Sequence, residues 1–92
     1  MAAADLEQLR DAIDVIDRRI LALVGERVAL VLQVGELKRA RQLPVFDPER
    51  ERRILERLTA AAEPPLDADT VRRIFERLID ESRTIEQRHV SR

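Results

Sequence analysis

Between residues 6 and 37, apolar side chains recur at Leu6, Leu9, Ile13, Ile16, Ile20, Leu23, Leu30, Val34 and Leu37, in alternating steps of three and four that mark a heptad seam. Arg27 fills the one slot of that series that is not apolar. The pattern predicts a single helix from about residue 5 to about residue 41, roughly 50 Å long at 1.5 Å per residue. A helix of that length is more than a compact chain of 92 residues can cover by itself, so the seam asks for a second chain.

The pattern breaks at RQLPVFDPER. Pro44 disfavours helix at Leu43, and Pro48 can open a new helix behind Asp47 as N-cap. A short second helix is predicted over about residues 48 to 61 with Ile54, Leu55 and Leu58 as its stripe, and Pro64 and Pro65 close it off. Asp67 is the next N-cap. A third helix starts at about residue 68, with Val71, Ile74, Phe75, Leu78, Ile79 and Ile85 on its inner face. The same face carries Ser82 and Glu86. The chain reads as all-α, one domain over residues 1–92, with no internal repeat.

Composition agrees, since glycine and proline number 2 and 4 and only Phe46 and Phe75 are aromatic, leaving good helix formers to dominate. Without cysteine there is no thiolate metal site, and the lone His89 cannot hold zinc, so metal chemistry is not expected. Lys plus Arg number 17 against 18 Asp plus Glu, for a net charge of −1. No global basic field exists to hold nucleic acid or an anionic membrane. The first residues, MAAADLEQLR, lack the apolar run of a signal peptide or membrane span, and a cytoplasmic location is the expectation.

Polar residues on apolar faces are then the informative ones. Arg27 and Lys38 are eleven residues apart, about 20° from alignment and about 16 Å along the axis, so they can bracket a ligand with an anion at each end. Equally, Arg27 can be a polar register device in the seam. Arg10 lies roughly 25 Å before Arg27 on the helix, and only an antiparallel partner would bring it to the same place; as a residue of the first turns it also reads as plain surface. Asp47, Arg50 and Glu51 open the second helix, where acidic residues suit the dipole without any catalytic purpose. Arg50 precedes Ile54 by one turn, which points it toward the core edge, where a cation needs a partner or an anion. Glu51 can accept from a ligand hydroxyl or pair with a neighbouring cation. Glu86 is a buried partner for Arg27 or Lys38, a neutral acid, or a wet residue near a fraying end.

The segments LEQLRDAIDVIDRRILALVGER, VGELKRAR, PVFDPERE and the ES of IDESRTIEQ together resemble the all-helical class of chorismate mutases. The resemblance spans nearly the whole chain, and its specific part is the ordered set Arg10, Arg27, Lys38, Asp47, Arg50, Glu51 and Ser82. It implies an intertwined homodimer of three-helix subunits, each site receiving Arg10 from the other chain. It also implies roles. Arg10 and Arg27 clamp the two carboxylates of chorismate, and Lys38 contacts a carboxylate and the ether oxygen. Arg50 is a supporting cation, Glu51 and the backbone around Asp47 hold the ring hydroxyl, and Ser82 meets the ring carboxylate. The reaction is the Claisen rearrangement of chorismate to prephenate in aromatic amino-acid biosynthesis, which needs no nucleophile, metal or cofactor.

One position departs from the common bacterial pattern, which has glutamine where this chain has Glu86. A carboxylate cannot donate to the ether oxygen, so Glu86 must be protonated to help, as in the fungal branch that also has glutamate there. Relatives of the same fold that rearrange 4-amino-4-deoxychorismate or eliminate pyruvate from isochorismate are alternatives, as is a non-catalytic helical dimerisation module.

Overall fold

The computed structural model describes residues 5–92. It contains three helices: α1 (Leu6–Ala40), α2 (Pro48–Ala60) and α3 (Ala68–Val90), with no strand among the described residues. Each predicted helix is present within a residue or so of its expected ends. The chain divides into two compact units, Met1–Leu30 and Val31–Arg92.

In the first unit the seam of α1 faces solvent. Leu6, Leu9, Ile13, Ile16, Ile20, Leu23 and Leu30 are each half or more exposed, although apolar residues at such spacing normally face a partner. In the second unit, α2 lies on α3, with Ile54 of α2 and Val71 and Ile79 of α3 buried as its core. Ile74, assigned by spacing to the inner stripe of α3, is half exposed instead. Among the described residues, the buried polar side chains are Ser82 and Glu86.

Local chemistry sets the helix ends. After α1, Leu43 N–H donates to Lys38 O (2.8 Å) and Gln42 N–H to Arg39 O (3.1 Å), the paired bonds of a Schellman cap, with Gln42 in the left-handed region at φ 57°. Two residues later Pro44 prevents the helix from resuming. Asp47 Oδ1 accepts from Arg50 N–H (3.0 Å) and Asp67 Oδ1 from Thr70 N–H (2.7 Å), as N-caps of α2 and α3. The hydrogen bond from Thr70 N–H holds the Asp67 carboxyl below its ordinary value. Pro64 and Pro65 are joined by a cis peptide bond between α2 and α3. No described helix is long and apolar enough to cross a membrane.

Candidate active site

Glu86 is 5% exposed on the inner face of α3, and a carboxylate so placed needs a partner. Lys38, near the end of α1, supplies it: its ammonium lies 3.3 Å from Glu86 Oε2 and donates to Val45 O at 2.7 Å. An ammonium has three donors. Two are spoken for, one tying the buried acid and the other closing the α1–α2 loop over the helix end. Of the readings open for Glu86, the ion pair with Lys38 is the one present, and a wet, frayed end is excluded by its burial.

This approach of α1 to α3 depends on Gly35. The residue is buried, and a Cβ built there would meet Glu86 Cγ at 2.9 Å, Val90 Cγ1 at 3.1 Å and Glu86 Oε2 at 3.3 Å. The absent side chain is what leaves Glu86 room to reach Lys38. One helical turn before Glu86, Ser82 donates its hydroxyl to Leu78 O at 2.6 Å. To donate to a ligand the hydroxyl would have to rotate off that carbonyl, which is a common resting place for serine in a helix.

Glu51 finds a cation that the sequence pattern did not single out. Arg83 of α3 donates through Nε to Glu51 Oε2 (2.9 Å) and through Nη2 to Glu51 Oε1 (3.1 Å), and Nη2 also donates to Asp80 Oδ1 (2.8 Å). Its guanidinium lies 4.8 Å from the centre of the Phe46 ring, within cation–π range. Hydrogen bonding to Glu51 pushes the Arg83 pKa further up, so the guanidinium is permanently charged. Loop, α2 and α3 are thereby joined at one side chain.

The remaining candidates are less engaged. Arg50, expected at the core edge, is exposed. The physical reason is its place in the first turn of α2: side chains lean toward the helix N-terminus, so here it extends beyond the packed stretch. Asp47 is exposed and occupied as a cap. In the first unit, Arg10 is exposed beside Glu7 at 3.5 Å, and Arg27 is half-buried on α1 and engaged in contacts of its own. Two residues that matter to the geometry, Gly35 and Arg83, were missed. A lone glycine inside a helical run is a flag for close packing, and Arg83 stands one turn after the buried Ile79, which places it near the inner face.

Helices joined by a half-buried lysine on a buried glutamate, with a forked arginine–glutamate pair also resting on α3, define an all-helical protein with charged pairs between its elements. Residues 9–87 match the family described as Chorismate mutase type II, and the chain belongs to that family. It is 34% identical over 86 residues to a chorismate mutase of Methanocaldococcus jannaschii, covering 92% of this chain and 87% of the relative. The fold is similar to a chorismate mutase (form II) from Thermus thermophilus with a TM-score of 0.87 at 36% identity, over 90% of this chain and 94% of that one. It is also similar to Helicobacter pylori chorismate mutase solved in complex with prephenate, with a TM-score of 0.86 at 26% identity, over 94% and 93%. The chain spans only about a fifth of the length of the T-protein of Enterobacter agglomerans and of the bifunctional chorismate mutase/prephenate dehydratase of Escherichia coli (21% and 19%).

Proposed function

We propose that the chain catalyses the rearrangement of chorismate to prephenate as a homodimer. The observation that carries the reading is the similarity, along almost the full length of both chains, to a protein named chorismate mutase. The Lys38–Glu86 pair, a half-buried cation on a buried acid at 3.3 Å, supports it chemically. The prephenate held by the Helicobacter pylori neighbour is the product of this reaction.

In this reading Arg27 and Arg10 of the partner subunit take the two carboxylates of chorismate, with Arg50 as a further cation near them and Ser82 at the ring carboxylate. Holding both carboxylates selects the folded conformer in which the new C–C bond can form as the C–O bond breaks. Such positioning is worth several kcal/mol, in a range that reaches about 7 to 11 for the best-oriented reactants. Negative charge grows on the ether oxygen as the C–O bond breaks. The third N–H of Lys38 is the donor for it, and one well-placed donor lowers the barrier by roughly 3 to 4 kcal/mol. Glu86 accepts from Lys38 and, as a carboxylate, orients that donor rather than donating to the ether oxygen itself. Glu51 and the backbone at Asp47 accept and orient the ring hydroxyl. The exposed seam of α1 is the surface that a second copy would cover.

The decisive assay follows loss of chorismate absorbance with prephenate identified as product. Conversion by the purified dimeric protein is expected. Absence of turnover at both pH 5 and pH 7.5, with dimer present, would overturn the reading in favour of a non-catalytic helical module.

A further inference from the structure

Glu51 is assigned a ligand hydroxyl to hold, yet a carboxylate left to itself prefers a cation. A hydrogen bond from an ammonium to a carboxylate is roughly twice as strong as one between neutral groups. An unmodified Glu51 would therefore favour a substrate carrying an amine at the ring position over one carrying a hydroxyl. In the structure, however, Glu51 already has a cation, Arg83.

We propose that Arg83 is the residue that sets hydroxyl-over-amine specificity, acting through Glu51. The inference rests on the chorismate-mutase reading and assigns its selectivity to one side chain. Arg83 grips both oxygens of Glu51, at 2.9 and 3.1 Å, in the planar fork that only a guanidinium offers. A carboxylate has about four lone-pair sites. Two are taken by the fork, and those left can still accept a neutral O–H. An ammonium seated on the same carboxylate would instead stand within a few Å of a fixed guanidinium, and like charges that close repel appreciably even at a protein surface.

The placement of the pair favours this role. Arg83 and Glu51 side chains are 27% and 22% exposed, while the second carboxylate on Arg83, that of Asp80, is 61% exposed. Asp80 is thus screened by solvent, and Glu51 is the less hydrated of the two partners that Arg83 neutralises. Phe46 under the guanidinium, at 4.8 Å, restrains the one side of Arg83 that the carboxylates do not. The fork is accordingly held from α2, from α3 and from the loop.

The experiment compares kcat/KM for chorismate with that for 4-amino-4-deoxychorismate in the wild type, in Arg83→Met, in Glu51→Gln and in the double variant. The wild type is expected to favour chorismate. Arg83→Met should shift the selectivity ratio toward the amine by about tenfold, mainly through KM, as expected for loss of one like-charge contact. In the Glu51→Gln background the same change at Arg83 should leave the ratio within about twofold, because the two residues act as one unit. Arg83→Gln, which keeps a single hydrogen bond to Glu51, serves if Arg83→Met fails to fold, and should shift the ratio in the same direction. Equal losses on both substrates, or a shift that persists without the Glu51 carboxylate, would overturn the inference. So would a wild type that prefers the amine. A wild type inactive on both substrates would instead sink the parent reading, so the two failures are distinguishable.

Discussion

Gly35 and Glu86 show how narrow the tolerance is at a single residue. Replacing a helical glycine with alanine ordinarily stabilises the helix by roughly 1 kcal/mol. Here the new Cβ would stand 2.9 Å from Glu86 Cγ, and relief requires Glu86 to leave the rotamer that reaches Lys38. Gly35→Ala is therefore expected to lower Tm, since taking a buried carboxylate off its partner costs more than the helix gains, while kcat/KM for chorismate falls about tenfold or more. Thermal melts beside steady-state kinetics will tell, and an unaltered kcat/KM would contradict the account. Glu86→Gln makes a donor that needs no proton. Its kcat/KM for chorismate is expected to equal or exceed that of the wild type at neutral pH, and a fall of about tenfold or more would refute the donor role at this position. Glu86 as a buried acid needing a partner was legible in the sequence, because apolar spacing placed it on the inner face. Arg83 with Glu51 was not, since the partners are 32 residues apart and only the packing of α2 on α3 brings them together.

Among the elements, ends are better determined than the faces between them. Both aspartate caps were readable because capping is a local matter of a carboxylate and the next few N–H groups. Asp67→Ala should lower Tm at neutral pH. The folded-state pKa of Asp67 is depressed by its bond from Thr70, so its contribution is complete above the ordinary aspartate range and disappears as pH falls through the folded value. The Tm gap between wild type and variant should accordingly narrow in acid, and a gap constant with pH would argue against the cap. The Schellman turn at Gln42 was invisible in sequence, for glycine is the usual signal and glutamine gives none. Since Gln42 adopts φ 57°, Gln42→Gly is expected to raise stability by about 0.5 to 1 kcal/mol, measurable by urea denaturation. A loss of stability would mean that the Gln42 side chain contributes more than its backbone costs. The exposed Ile74 and Arg50 record the limit of face assignment from spacing, which cannot tell how far along a helix its neighbour extends.

For the molecule as a whole, the heptad seam was the most legible feature and the one a single chain leaves unsatisfied. If each proposed site takes Arg10 from one subunit and Arg27 from the other, Arg10→Ala and Arg27→Ala homodimers both lose activity. A heterodimer of the two would contain one intact site and one doubly damaged site. Refolding an equal mixture should then restore about a quarter of wild-type activity, as half the dimers are mixed and half their sites are whole. Failure of the mixture to gain activity over its parents, with exchange verified by mass, would exclude the shared site.

The same exposed seam bears on how the protein meets its own concentration. Among the described residues the buried apolar side chains are only Ile54, Val71 and Ile79, and a core that small leaves little margin for an isolated subunit. Where assembly supplies much of the burial, folding and association become a single equilibrium that obeys mass action. On the proposed dimer, dilution would act as a denaturant, and the amount of protein a cell makes would help decide whether the chain holds its fold.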